Sequence, residues 1–218
     1  MSHLPPEKGS SYWGSPAQPY WFRGVNPSAD LVLLRDGARG KEVLLVHRAP
    51  TAPAEAGKWA LPGGFMESDA ARGHPWKPGR ETARQGAVRE TREETSLDVS
   101  AWIERLRCVG IFEGDGRDPR DNAEAWGKNV SYVLDIGSHP LPEPAVQEET
   151  DGVEWVPLAL LSGRELGFDH AAIIARGVAV ASGFLPACDD RGELFKGLAF
   201  RRSGPLPGDE GRQPVRER

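Results

Sequence analysis

The sequence predicts a single domain of the α/β class. Short apolar runs typical of buried strands alternate with two helical segments, one at residues 81–97 and one at residues 169–182. A chain of 218 residues can bury one sizeable core, and this length favours one domain with tails over two domains. We expect residues 23–200 to form the domain, with an aromatic arm at residues 1–22 and a disordered tail at residues 201–218.

The strands are predicted in chain order from their apolar runs. Two of these runs flank a polar turn and predict a hairpin of buried strands, and a third runs into a Pro-Gly-Gly turn. These three runs are residues 31–34, 42–46 and 59–61. After the first helix the sheet is expected to continue at residues 97–99, 106–112, 129–135 and 153–157. The second helix has Asp169 as its expected N-cap.

The N-terminal arm is too aromatic to be a simple tail. Its aromatic residues are Tyr12, Trp13, Tyr20, Trp21 and Phe22. Such an arm is expected to dock, either by covering an edge of its own domain or by exchange between the subunits of a dimer.

Composition excludes several classes of function. The 27 basic residues are outnumbered by 32 acidic ones, for a net charge of −5, and no basic block is long enough to follow a nucleic-acid backbone. The N-terminus lacks the apolar core of a signal peptide, and no run approaches the length of a membrane span. Cys108 and Cys188 are far apart in the sequence, so neither a disulfide framework nor a zinc site is expected. The prediction is a cytoplasmic protein that binds neither nucleic acid nor membrane.

The first helix carries the most informative pattern in the chain. Glu90, Glu93 and Glu94 are three and four positions apart, so their carboxylates converge on neighbouring turns. Converging carboxylates favour a hard divalent cation such as Mg²⁺ or Mn²⁺, which then binds substrate phosphates. The alternative is a solvated, salt-bridged helix face, because arginines interleave with these glutamates.

The sequence around this helix resembles the Nudix box, the signature of hydrolases that cleave nucleoside diphosphates linked to another moiety. The resemblance comprises Gly64 in the Pro-Gly-Gly turn, Glu81, and the run Arg89-Glu90-x-x-Glu93-Glu94. Three features depart from the usual pattern. Thr91 replaces an aliphatic residue, Ser96 replaces a glycine, and a loop at residues 69–80 lengthens the segment before Glu81.

The resemblance implies a metal-dependent active site. Glu90 and Glu94 would bind the metal directly, and Glu93 would bind it or hold its waters. The Gly64 carbonyl and Glu81 would complete the metal set. The alternative is that Glu81 is only an acid favoured near a helix N-terminus.

The resemblance also implies the catalytic set, which is Arg89, Glu90, Glu93 and Glu149. Arg89 would orient carboxylates, although its spacing from Glu93 is also that of an ordinary helix ion pair. The family draws its general base from the box or from a late loop, where Glu149 is favoured and Glu148 is second. The alternative is that this acidic loop is solvated surface.

Two further segments resemble ADP-ribose pyrophosphatases and related ligand-sensing regulators. Arg117 and Arg120 would bind a diphosphate, and His170 would lie near the terminal ribose. The alternatives are solvated arginines in an Asp-Pro turn and an exposed histidine at a helix start. The expected substrate is a small nucleoside diphosphate derivative, most of all ADP-ribose, cleaved to AMP and ribose 5-phosphate.

The resemblance further implies an α/β/α sandwich with a mixed sheet, and often a homodimer. Two other functions stay open: pyrophosphohydrolysis of nucleoside triphosphates, including oxidised ones, and ligand sensing without catalysis. The related regulators carry a winged helix after this domain, and the residues after the second helix are expected to be too few for one.

Overall fold

A computed structural model describes residues 13–15, 18–114, 117–147 and 150–189 of the chain. The predicted tail at residues 201–218 lies outside these ranges, as does most of the N-terminal arm. A small two-stranded sheet comes first, formed by β1 (Trp13–Ser15) and β2 (Gln18–Tyr20). It leads into the main domain.

The main sheet is mixed and has seven strands among the described residues. They are β3 (Gly24–Gly37), β4 (Gly40–Arg48), β5 (Trp59–Ala60), β6 (Gly63–Phe65), β7 (Arg107–Phe112), β8 (Ala125–Asp135) and β9 (Thr150–Pro157). The central path runs β5-β4-β3-β8-β7, with β6 on β3 and β9 on β4. Strands β3 and β8 are parallel, whereas β3 and β4 form the predicted antiparallel hairpin. The strands at β7 and β8 face each other as predicted.

Two helices cover opposite faces of this sheet. Helix α1 (Ala83–Thr95) and helix α2 (His170–Ala181) correspond to the two predicted helices. Because side chains alternate along a strand, Leu31 and Leu33 of β3 pack in the core beneath α1, and Val32 and Leu34 pack beneath α2. The α/β/α sandwich is therefore confirmed.

The ends of α1 follow from its terminal residues. Thr82 caps the start, because its hydroxyl accepts from the Gln85 backbone N–H while the Gln85 side chain accepts from the Thr82 N–H. Ser96 ends the helix in the left-handed conformation, with φ 62°. A glycine adopts this conformation more readily, so the departure at Ser96 costs backbone energy without re-routing the helix.

The strand predicted at residues 97–99 is wrong. Leu97 and Val99 are fully buried in the core, but they pair with no strand of the described residues, and a short 3₁₀ helix follows at Ser100–Arg105. The apolar residues of this segment pack in the core, but their backbone does not join the hydrogen-bonded ladder of the sheet.

The described part of the arm packs on its own domain. Tyr20 and Phe22 are buried, and the Tyr20 hydroxyl donates to Asp121 at 2.6 Å. The predicted loop at residues 69–80 is confirmed as turns and isolated bridges, and it contacts the arm through the Gly73 N–H and the Trp21 carbonyl at 2.8 Å. Trp76 of this loop is buried in the core.

The expectation of no disulfide is wrong. Cys108 in β7 and Cys188 beyond α2 are joined, with their Cα atoms 5.0 Å apart. The segment after α2 returns along the edge strand β7, where the Cys188 N–H donates to the Cys108 carbonyl at 3.0 Å. This return brings together two residues that are 80 positions apart in the sequence. Within the described ranges, no helix is both long and apolar enough to cross a membrane.

Candidate active site

A cavity of about 650 Å³ opens where the Pro-Gly-Gly turn meets helix α1 and the start of helix α2. Its lining brings together residues that are far apart in the sequence. The charged residues of the lining are Asp30, Arg48, Glu90, Glu94, Arg117, Asp118 and Arg120. The cavity therefore presents carboxylates and guanidinium groups to one shared volume.

The glycines of the turn allow carboxylates to approach the backbone closely. The Gly63 N–H donates to Glu94 Oε2 at 3.0 Å. A Cβ atom added to Gly64 would lie 2.6 Å from the carboxyl carbon of Glu90, and one added to Gly63 would lie 2.3 Å from Asp30 Oδ1. Only residues without a side chain fit here, which explains the two consecutive glycines. The turn is a cradle filled by three carboxylates.

Arg89 holds three carboxylates of the box. Its Nε lies 2.7 Å from Glu81 Oε1, and its Nη1 lies 2.7 Å from Glu90 Oε1 and 2.9 Å from Glu93 Oε2. Its Nη2 donates to the Phe65 carbonyl at 3.1 Å. Burial by itself lowers the pKa of Arg89, but the hydrogen bonds and charges of Glu81 and Glu90 outweigh burial and raise it. Arg89 thus relieves the repulsion that converging carboxylates create.

The box residues divide into two groups around Arg89. Glu90 and Glu94 are buried and line the cavity, whereas Glu81 and Glu93 lie outside its lining. In the arrangement shown, no three acidic, histidine or cysteine side chains of the described residues form a group that could hold a metal ion.

The donor set nevertheless fits a hard cation. Glu90 and Glu94 supply carboxylate oxygens beside the bare backbone of Gly63 and Gly64, and oxygen is the ligand that Mg²⁺ and Mn²⁺ prefer. The glycine cradle leaves room for the backbone to contribute as well.

The two predicted substrate arginines line the cavity but are already paired. Arg117 Nε lies 3.0 Å from Asp169 Oδ2, so Asp169 bonds this arginine and makes no side-chain cap for α2. Arg120 Nη2 lies 2.6 Å from Asp118 Oδ2. The reading of these residues as solvated arginines is wrong, because each side chain is only 11% exposed.

Arg120 is held by a cluster of residues at the cavity wall. Its guanidinium lies 4.9 Å from the ring centres of both Tyr20 and Phe65. Burial by itself raises the pKa of Asp118. The hydrogen bonds and charge of Arg120 outweigh burial and hold this pKa below its usual range. Burial raises the pKa of neighbouring Asp121 to about 6. The arm residue Tyr20 thus positions an arginine of the site.

His170 is buried, so the alternative that it is an exposed histidine at a helix start is wrong. It is 4% exposed, lines the cavity, and its Nδ1 accepts a hydrogen bond from the Leu61 N–H at 2.9 Å. Its Nε2 faces Asp30, with 3.5 Å between Nε2 and Oδ2.

The predicted general base Glu149, like Glu148, lies outside the described residues. On either side of them the chain is anchored: Gln147 Nε2 donates to Ser96 Oγ at 2.6 Å, and His47 contacts Asp151. The role of Glu149 stays a prediction.

Among the lining residues that sequence reasoning did not assign to the site are Trp21, Asp30, Arg48 and Phe168. Arg48 is the last residue of β4 and donates through Nε to the Ala54 carbonyl at 2.9 Å, with its guanidinium 5.3 Å from the Phe168 ring centre. Asp30 is an acid inside the run Ala-Asp-Leu-Val of a buried strand. Because charged residues are rarely buried without a partner, an aspartate in such an apolar run is the sequence feature that could have identified Asp30 as a site residue.

A known protein family and several solved structures share the fold described above. The sequence profile of the NUDIX domain matches residues 25–176. No curated protein matches the chain. Among solved structures, the NUDIX domain of Shewanella oneidensis NrtR complexed with ADP ribose has a TM-score of 0.57 at 23% identity, over 72% of this chain and 89% of that chain.

Two further solved structures share the fold. A MutT/nudix family protein from Enterococcus faecalis has a TM-score of 0.55 at 27% identity, over 72% of this chain and 62% of that one. A bifunctional NMN adenylyltransferase/ADP ribose pyrophosphatase from Francisella tularensis, complexed with AMP and a Mn ion, has a TM-score of 0.55 at 23% identity. That alignment covers 74% of this chain and 42% of the other, so this chain spans less than two thirds of both longer proteins.

Proposed function

The chain belongs to the NUDIX domain family, whose hydrolases act on phosphoanhydride bonds, and we propose that it cleaves the diphosphate of ADP-ribose to AMP and ribose 5-phosphate with Mg²⁺. Mn²⁺ is expected to substitute. The observation that carries the proposal is the cavity in which Glu90 and Glu94 meet the glycine cradle opposite a set of arginines.

The charges of the cavity support a metal requirement. Its described lining carries four carboxylates and three guanidinium groups. Two of these guanidinium groups, those of Arg117 and Arg120, are already paired with carboxylates. A diphosphate carries about two negative charges of its own, so it needs an added cation to enter such a site. Glu90, Glu94 and the Gly64 carbonyl would hold this cation, with Glu81 and Glu93 as further ligands. The metal supplies charge neutralisation at the phosphates and activation of a water molecule.

The protein's own residues supply position and proton transfer. Arg89 would fix Glu81, Glu90 and Glu93 in one arrangement, because it forms an ion pair with each of them. The proposed general base is Glu149, which would take a proton from the attacking water.

The arginines are proposed to bind the diphosphate. Arg117 and Arg120 would do so while keeping their carboxylate partners, which hold their guanidinium planes in place. Arg48 forms no ion pair with any described residue, so its guanidinium is the more available of the three.

ADP-ribose is favoured by two lines of support. The segments around Arg117 and His170 resemble those of ADP-ribose pyrophosphatases. Solved structures of the same fold were complexed with ADP ribose in one case and with AMP and a Mn ion in another. A cavity of about 650 Å³ also suits a ligand of this size.

One observation favours a second candidate, a non-catalytic sensor of the same ligand. Arg89 lies among the carboxylates of the Nudix box, where a metal ion would bind. In addition, no three acidic, histidine or cysteine side chains of the described residues are grouped so that they could hold a metal ion. A sensor would bind ADP-ribose through the arginines and release no AMP.

The decisive experiment measures AMP released from ADP-ribose with Mg²⁺, with Mn²⁺ and with EDTA. Glu94→Gln should reduce turnover at least a hundredfold, and the exposed Glu104→Gln should not. Binding of ADP-ribose without AMP release would establish the sensor instead. Release of pyrophosphate from oxidised nucleoside triphosphates, faster than AMP from ADP-ribose, would establish the other hydrolase.

A homodimer is part of the proposal because relatives of the ADP-ribose type often form one. Light scattering of the purified protein tests it. A mass of 23.7 kDa would show a monomer.

A further inference from the structure

The sheet face beneath α2 changes from apolar to polar where the cavity begins. On β3, Val32 and Leu34 pack beneath α2, whereas Ser28 on the same face lines the cavity. On β8, Asn129 lies opposite Ser28 in the strand register, and Ser131 follows two positions later on the same face. Asn129 is 1% exposed and Ser131 is fully buried. Buried polar side chains cost stability unless hydrogen bonds satisfy them.

The three polar residues form a chain of hydrogen bonds that runs in one direction. Ser131 Oγ donates to Asn129 Oδ1 at 2.7 Å, so the amide nitrogen of Asn129 faces the other way. That nitrogen donates to Ser28 Oγ at 3.1 Å. An amide nitrogen can only donate, so the Ser28 hydroxyl acts as the acceptor in this bond. The polar chain therefore begins at Ser131, passes through Asn129 and ends at Ser28.

The Ser28 hydroxyl keeps its own proton for the cavity. A hydroxyl has one donor and two acceptor positions, and the bond from Asn129 uses an acceptor position. Within the described ranges, no residue accepts the Ser28 hydroxyl proton. Ser28 is partly exposed and lines the cavity, whereas Ser131 is not part of the lining. The polar chain thus presents a hydrogen-bond donor to the ligand that fills the cavity.

The surroundings of Ser28 favour an anionic oxygen as the acceptor. Ser28 pairs with Phe65 in the β3–β6 ladder, and the guanidinium of Arg120 lies 4.9 Å from the Phe65 ring centre. Ser28 and Arg120 both line the cavity, so a neutral donor and a cationic donor lie in the same part of its wall. An anionic oxygen forms stronger hydrogen bonds than a neutral one, and a phosphate group supplies several such oxygens.

We propose that Ser28 is a binding residue whose hydroxyl donates to a phosphate oxygen of the substrate. This role rests on the proposed function and adds a neutral donor to the proposed arginines. Asn129 and Ser131 are positioning residues, because they act on the ligand through Ser28. The polar chain sets the role of the Ser28 hydroxyl by using its acceptor side and leaving its proton to the ligand.

The first test is Ser28→Ala, which removes the donor. Because the lost hydrogen bond is to a charged group, KM for ADP-ribose should rise about tenfold or more while kcat changes little. Ser138→Ala is the matched control, since Ser138 is exposed, donates to Asp36 and does not line the cavity. An unchanged KM in a folded Ser28→Ala protein overturns the proposal.

The second test, Ser131→Ala, examines the direction of the polar chain. Asn129 Oδ1 then loses its donor, so the amide can turn and accept from Ser28 instead. The Ser28 proton would point away from the cavity, and KM should rise about as much as in Ser28→Ala. A variant with both substitutions should be no worse than Ser28→Ala, because both remove the same donor. If Ser131→Ala does not fold, Ser28→Ala alone decides the binding role.

Two outcomes of the second test count against the polar chain. An unchanged KM in folded Ser131→Ala would show that Ser131 does not set the role of Ser28. Multiplied increases of KM in the double variant would show that Ser131 acts on the site independently of Ser28. Either result overturns the positioning role of Ser131.

Calorimetry with AMP, ribose 5-phosphate and adenosine identifies the acceptor. Ser28→Ala should weaken binding of at least one of the two phosphates and leave adenosine unchanged. Equal losses for AMP and adenosine would place the acceptor on the base or its ribose and overturn the phosphate assignment. Unchanged affinity for all three overturns the role of Ser28 and leaves the proposed reaction intact. Wild-type protein that binds ADP-ribose without releasing AMP, and more tightly than Ser28→Ala does, would refute the proposed reaction but support the role of Ser28.

Discussion

Substitution of Gly64 by alanine tests how closely the turn and the box helix depend on each other. The new Cβ would lie 2.6 Å from the Glu90 carboxyl carbon and 2.7 Å from both carboxylate oxygens. An ordinary contact of this kind is at least 3.4 Å, so the carboxylate must move by about 0.8 Å. The Gly64 carbonyl is unchanged by the substitution, so the perturbation falls on Glu90.

The expected effect is large on catalysis and small on stability. A misplacement of about 1 Å in a catalytic group can cost about a hundredfold in rate, so kcat/KM for ADP-ribose should fall by that order. The atoms displaced are the end of a flexible side chain, and alanine restricts the unfolded chain more than glycine, so stability should change by less than about 1 kcal/mol.

The assay is Mg²⁺-dependent AMP release, paired with urea denaturation. Gly163→Ala is the matched control, because a Cβ there meets no atom within 4 Å. Activity within threefold of wild type in a folded Gly64→Ala protein would refute the claim that Glu90 must occupy this space.

Three further predictions concern stability. Cys188→Ser should destabilise the oxidised protein by about 4 kcal/mol in urea, because it frees a loop closed across 80 positions; equal unfolding midpoints for variant and oxidised wild type would contradict this. Ser96→Gly should stabilise by about 1 kcal/mol by removing a left-handed non-glycine residue, and a lower melting temperature would argue against that strain. The folded pKa of Asp121, raised to about 6, means that wild type loses stability as pH rises from about 4 to about 6. Asp121→Asn should lack this loss, and parallel pH profiles for the two proteins would count against the buried charge.

The local parts of this fold could be predicted from the sequence. Periodicity identified the β3–β4 hairpin and both helices, since each depends on contacts between neighbours in the chain. The spacing of Glu90, Glu93 and Glu94 on α1 likewise follows from helix geometry. The pairing of Arg89 with Glu93 is the expected contact one turn apart.

The non-local parts could not be predicted in the same way. Asp30 and His170 are 140 positions apart, and only the docking of α2 against the glycine turn brings them to one cavity. The disulfide depends on the return of the chain along β7, which no spacing rule reveals. The sequence predicts a strand at residues 97–99 where the structure has none, because apolar composition reports burial and not hydrogen bonding.

Glu90 and Glu94 are proposed to hold a divalent cation beside the glycine cradle. Crystals soaked in Mn²⁺ and measured at the manganese absorption edge test it directly. We expect an anomalous peak within coordination distance of both carboxylates, and its loss in Glu94→Gln crystals. Well-ordered wild-type crystals that show no peak there, with Arg89 still bound to Glu90, would contradict it.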